Sequence, residues 1–128
     1  MKVVFCEPEK FAKIIEVDDD LDSLYECLGC EIIQAVYPWE DNACIVCDDE
    51  GKLGDKDLCR ALRDEDGYIY DVVAGSFIIA GLGEDNFDSL TDKQAEYYLK
   101  LFYWPELFIL CDDGIEAIKV AEEPEDDE

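Results

Sequence analysis

Short β-branched runs alternate along the chain with polar turns, and two stretches repeat their apolar residues at helical spacing. Met1 to Cys6 and Ala12 to Val17 are such runs, separated by Glu7-Pro8-Glu9, and they predict a β-hairpin or two neighbouring strands. Asp18, Asp19 and Asp20 then offer N-caps to a helix whose Leu21, Leu24, Tyr25 and Leu28 share one face and which Gly29 stops. Glu31 to Tyr37 and Ala43 to Cys47 predict an antiparallel strand pair joined by Pro38-Trp39-Glu40-Asp41-Asn42. Residues 48–67 are rich in charge and glycine, with only Leu53, Leu58, Ala61 and Leu62 as anchors, and read as an ordered loop with at most one helical turn. Ile69 to Val73 and Ser76 to Leu82 are strands again, with bends at Gly75, Gly81 and Gly83.

Thr91-Asp92-Lys93-Gln94 is a capping box, so a second helix starts there. Its apolar residues form two stripes, Ala95, Tyr98, Leu99 and Phe102 in one and Tyr97, Leu101 and Trp104 in the other. The first faces the core. The second is expected to lie under a strand at Phe108 to Leu110; left open, it would be a dimer surface. These elements make an α+β fold with a mainly antiparallel sheet of about five to seven strands and two helices. Residues 1–115 form the single domain of this reading, and residues 116–128 an acidic, mobile tail, because the like charges from Glu122 onward have nothing apolar to bury.

Composition adds a partner to this picture. With 49% apolar residues the chain can bury a core, yet 35 acidic residues against 10 basic ones leave a formal net charge of -25. About 12 base pairs of duplex DNA, roughly 40 Å long, carry a similar charge. A domain of this length is roughly 36 Å across. Such a field repels nucleic acid and anionic membranes and attracts basic proteins, above all nucleic-acid-binding grooves. No apolar run reaches the roughly 18 residues of a membrane span, and no secretion signal opens the chain, so a cytoplasmic protein with reduced thiols is expected.

Several chemistries are disfavoured. Cys27, Cys30, Cys44 and Cys47 approach the spacing of a four-cysteine zinc site, but Cys44 and Cys47 lie three apart in a strand and so point to opposite faces. Aligning Gly67 with the glycine of a calcium loop puts Leu62 and Val73 where its first and last carboxylates belong. With 0 histidines the chain lacks the commonest general base and the usual Ser-His and Cys-His systems. Gly81-Leu82-Gly83 lacks the ending of a phosphate loop. No catalytic residue, metal or cofactor is expected.

Asp49-Glu50-Gly51-Lys52-Leu53, Cys59-Arg60-Ala61-Leu62 and Ile69 to Gly81, with the opening strand, the acidic helix and Tyr37-Pro38, resemble an uncharacterised family, domain of unknown function 3846. The resemblance covers roughly residues 1 to 110 and departs from the family's usual Asn-Arg-Ala at Cys59-Arg60-Ala61. It implies no activity, but it implies a setting on phages and conjugative elements of bacteria, which often encode small acidic proteins that imitate DNA.

The leading expectation is therefore an acidic DNA mimic that blocks a host restriction or CRISPR nuclease, possessing no affinity for nucleic acid itself. Its candidate contact residues are Asp18, Asp19, Asp20 and Asp22, then Asp48, Asp49 and Glu50, then Asp64, Glu65 and Asp66. A second expectation is a sponge or sensor for a small anionic ligand such as a nucleotide signal, with a pocket at Arg60, Arg63, Asp71, Gly75 and Ser76; the competing reading pairs the arginines with Asp64, Asp66 or Asp71. A third is a structural interaction module dimerising through Tyr97, Leu101 and Trp104.

Overall fold

The structure, a computed structural model, describes residues 1–119 except 19, 31, 40, 50–56, 85–86 and 113. The opening runs form β1 (Lys2–Cys6) and β2 (Lys13–Glu16), an antiparallel hairpin registered from Lys2 opposite Glu16 to Phe5 opposite Lys13. After α1 (Leu21–Leu28), β3 (Ile33–Val36) and β4 (Ala43–Asp48) make a second antiparallel pair. A third hairpin, β5 (Leu58–Arg63) and β6 (Ile69–Ala74), stands apart as its own two-stranded sheet. The chain then enters β7 (Phe77–Leu82), which inserts between β1 and β4 and pairs antiparallel with each. With β8 (Phe87–Asp88) paired to β7, the main sheet has six strands, in the order β2-β1-β7-β4-β3 along its main path. After α2 (Asp92–Leu101), β9 (Glu106–Cys111) and β10 (Gly114–Lys119) form a last two-stranded sheet.

The main sheet is buried on both faces, which explains why β4 and β7 read as unbroken apolar runs rather than alternating ones. Val3, Phe5, Cys44, Val46, Ile78 and Ala80 face one way, against Leu24 and Leu28 of α1. Val4, Cys6, Ile45, Cys47, Phe77 and Ile79 face the other way, against Tyr98 and Phe102 of α2 and Cys59, Leu62 and Val73 of the β5–β6 hairpin. The helix ends follow local chemistry. Asp20 caps α1 by accepting the Ser23 N–H at 2.7 Å, and Gly29 closes it at φ 66°, a left-handed conformation that costs glycine little. Thr91 and Gln94 complete the capping box of α2, and Lys2 of β1 pairs with Asp92 in its first turn. Among the described residues, no helix is long and apolar enough to cross a membrane.

The structure corrects two expectations. Leu58–Arg63 is a strand rather than part of a loop; Arg60 interrupts its apolar pattern, and an extra residue at Cys59 shifts its register, so no period of two is visible in the sequence. The tyrosine stripe of α2 is not covered: β9 lies against β5, leaving Tyr97 59% and Leu101 38% exposed, while Trp104 turns its ring to Phe11 at 5.2 Å. The last strand, β10, spans Gly114–Lys119 and so includes the first residues of the expected tail. The remainder of the expected tail, residues 120–128, lies outside the described residues.

Candidate functional site

The acidic candidates occupy different sides of the molecule. Asp18, Asp20 and Asp22 are exposed around the start of α1, on one side of the main sheet. There the Ser23 N–H, donating to Asp20, holds that carboxyl below the ordinary carboxylate value. Asp64, Glu65 and Asp66 form the exposed turn between β5 and β6, on the opposite side. This turn organises itself: the Asp64 carboxylate accepts the N–H groups of Asp66 at 2.9 Å and Tyr68 at 3.0 Å, and Gly67 takes φ 89°. Asp48 ends β4 and Asp49 follows it, with the Asp49 N–H donating to the Ile32 carbonyl at 3.0 Å. Asp19 and Glu50 lie outside the described residues.

One cluster was not legible as such. Asp48 and Asp49 join Asp71 of β6 at a cleft of about 100 Å³ whose walls include Gln34, Val36, Leu62 and Val72. Sequence reasoning had placed Asp71 with the arginines, because it lies eight to eleven positions from them; strand pairing and packing bring it instead to the end of β4. Its carboxylate accepts the Val72 N–H at 2.8 Å. Leu62 also borders a second cleft of about 90 Å³, lined by Trp39, Arg63, Tyr70, Leu101 and Phe102. Trp39 stacks on Tyr98 with ring centroids 4.5 Å apart, and the Tyr98 hydroxyl donates to Asp41 at 2.8 Å. That hydrogen bond lowers the Asp41 carboxyl, while burial, followed by the same bond, raises the Tyr98 hydroxyl. Of the residues singled out in the sequence, Arg63 of the expected ligand pocket and Leu101 of the tyrosine stripe line this second cleft.

The arginines do not form a common pocket. Arg60 is 0% exposed, and its guanidinium donates to the carbonyls of Phe102 (2.9 Å), Cys59 (3.0 Å), Lys10 (2.7 Å) and Glu7 (3.4 Å). It joins the β1–β2 turn, β5 and the end of α2. Arg63 makes a two-pronged contact with Glu106 of β9, at 2.8 and 3.4 Å, and borders the second cleft. The acids near these arginines in sequence are thus not the partners that the geometry supplies here. Gly75 is buried at φ 80° and donates to the Asp57 carbonyl at 2.8 Å, and Ser76 is half-buried.

The four cysteines of the zinc-like spacing are split by the main sheet. Cys44 packs on the α1 side with half-buried Cys27 and Cys30, and Cys47 packs on the other. Among the described residues, no group of three or more His, Cys, Asp or Glu side chains is placed to hold a metal ion. Burial pushes the Cys44 thiol up to about 11 and the Cys59 thiol up to about 12, in the second case against the opposing pull of Arg60. These thiols behave as small apolar groups.

Residues 1–103 match the model of a family described as a domain of unknown function, number 3846. The match ends before β9, so the last hairpin lies beyond it. No curated protein and no solved structure matches the chain.

Proposed function

We propose that this chain, which belongs to the family called domain of unknown function 3846, is a cytoplasmic, non-enzymatic DNA mimic that inhibits a host nucleic-acid-binding defence enzyme of the restriction or CRISPR kind. Charge carries this reading: 35 acidic residues against 10 basic ones on a 128-residue chain. The acidic sites at α1 and at the β5–β6 turn lie on opposite sides of the main sheet. A duplex also presents phosphate on more than one side, and a channel built to enclose DNA meets charge from several directions. A setting on a phage or other mobile element, which the resemblance implies, would give such an inhibitor its use.

The ligand-sponge alternative has less support. Its leading residue, Arg60, has no exposed surface and spends its donors on backbone carbonyls. A self-associating module has exposed Tyr97 and Leu101 in its favour, but two copies would each bring a charge of -25.

The test is DNA cleavage by a panel of purified restriction and CRISPR nucleases, with the protein added at about 50 and 200 mM salt. Inhibition is expected at the lower salt, fading at the higher. It should weaken further when Asp64→Lys and Asp66→Lys are combined. Inhibition indifferent to salt, or none across the panel, overturns the proposal.

A further inference from the structure

We infer that β3 is an open sheet edge at which an extended segment of a basic protein adds as a further strand of the main sheet. This rests on the charge reading above for the sign of the partner, and adds the surface and the chemistry that hold it.

The main sheet ends in β2 on one side and in β3 on the other. Alternate residues of an antiparallel strand turn their backbone groups toward the neighbouring strand, and the rest turn them away. In β3 the parity is fixed by the Asp49 N–H, which donates to the Ile32 carbonyl at 3.0 Å. Ile32, Gln34 and Val36 therefore serve β4, and the N–H and C=O groups of Ile33 and Ala35 point off the sheet. No described strand pairs with them there.

Natural sheets guard such edges with charge, because a bare row of backbone groups recruits another strand. β2 follows that rule with exposed Lys13 and Glu16. β3 does not. Among the described strands only β3 and β7 hold no charged residue, and β7 lies inside the sheet. The uncharged stretch runs from Ile32 to Trp39, in a chain whose residues are 35% charged. Half-buried Ile33 and Ala35 on the α1 side, and Val36 on the other, carry both apolar faces of the sheet up to this edge. Ile32 and Tyr37, just beyond either end of β3, are 50% and 62% exposed and give an added strand apolar surface to cover.

Chemistry and charge together select the occupant. An open sheet edge is completed by an extended peptide, whose main chain supplies affinity and whose alternate side chains supply specificity. A second copy would bring another -25 to the contact, whereas a basic segment is drawn in by the same field.

The experiment uses the full chain and a labelled peptide of alternating valine and threonine with lysines at both ends. Its control carries methyl groups on the central backbone nitrogens, which keeps the charge and blocks strand pairing. At about 50 mM salt the parent peptide should bind roughly tenfold or more tightly than the control, the yield of a few backbone hydrogen bonds. Ala35→Pro removes an outward N–H and none that serves β4, so it should fold and lose that preference. Amide hydrogen exchange reads the same edge without a substitution. In the free chain Ile33 and Ala35 should exchange faster than Gln34 and Val36, and the parent peptide should slow them. Slow exchange at Ile33 and Ala35 in the free chain overturns the inference: the edge is then covered by this chain if dilution changes nothing, and by a second copy if dilution speeds exchange. Equal binding of both peptides overturns strand addition and leaves the charge reading standing. Failure of both to bind overturns the charge reading, and strand addition with it.

Discussion

Arg60 combines a permanent charge with a wholly interior position, and its carbonyl partners explain how the fold tolerates it. Carbonyl oxygens replace the water that the guanidinium loses, at bond lengths of 2.7 to 3.0 Å for the three shortest. Replacing it by leucine would remove the donors and strand the buried acceptors. Arg60→Leu should therefore cost about 3 kcal/mol or more, read from urea unfolding midpoints. Arg60→Lys should recover only part of that, because an ammonium cannot imitate the planar fork. If Arg60→Leu unfolds at the same urea concentration as the parent, the carbonyl clasp is not a stabilising contact. The residue chosen from sequence as a ligand contact thus stabilises the fold. Its burial was not legible in the sequence because three of its four carbonyl acceptors come from residues 7, 10 and 102, none of them near it in the chain.

Elements set by local chemistry were legible: the capping box at Thr91, the stop at Gly29, the hairpin of β1 and β2 and the pairing of β3 with β4. Elements set by distant contacts were not. β5 is a strand because its buried residues meet β6 and the main sheet, and β9 passes by the tyrosine stripe because Glu106 binds Arg63. The candidate site divides in the same way. Exposed carboxylates are readable from composition, whereas the meeting of Asp48 and Asp49 with Asp71 depends on how the β5–β6 hairpin lies on the sheet. Gly81 was read as a bend but lies inside β7, where β8 crosses so closely that an added Cβ would lie 2.5 Å from the Ser89 carbonyl oxygen. Backbone cannot yield as a flexible side chain can. Gly81→Ala should therefore cost roughly 1–3 kcal/mol by thermal unfolding. An unchanged melting temperature would mean that β8 can lift away freely.

At the scale of the molecule, titration and self-repulsion act together. At pH 7 the chain carries a net -25 with a pI near 4.1, so acidification toward pH 5 removes repulsion and should raise stability. Asp41, lowered in the fold, contributes stability above the ordinary carboxyl value of 3.8 and loses it as the pH falls further. The thiols act at the other end. Cys44 and Cys59 are raised from 9.0 to about 11 and about 12, so their contribution is complete below pH 9 and is lost as the pH rises through the folded values. The melting temperature should therefore be higher near pH 5.5 than near pH 8 and fall steeply above pH 9. Salt at about 0.5 M should narrow the difference between pH 5.5 and 8 by screening. A melting temperature that is flat from pH 5.5 to 8 at low salt would show that repulsion does not govern this fold.

The Arg60 clasp also bears on how the chain is made. Synthesis runs from the N-terminus, and domains generally fold as units. The guanidinium meets acceptors at Glu7 and Lys10 early, but the Phe102 carbonyl leaves the ribosome only when nearly all of the matched segment, residues 1–103, has emerged. Until then a buried cation would lack its acceptor at the end of α2, so closure of the core waits on the last helix. The clasp makes completion of the family segment a condition of native packing.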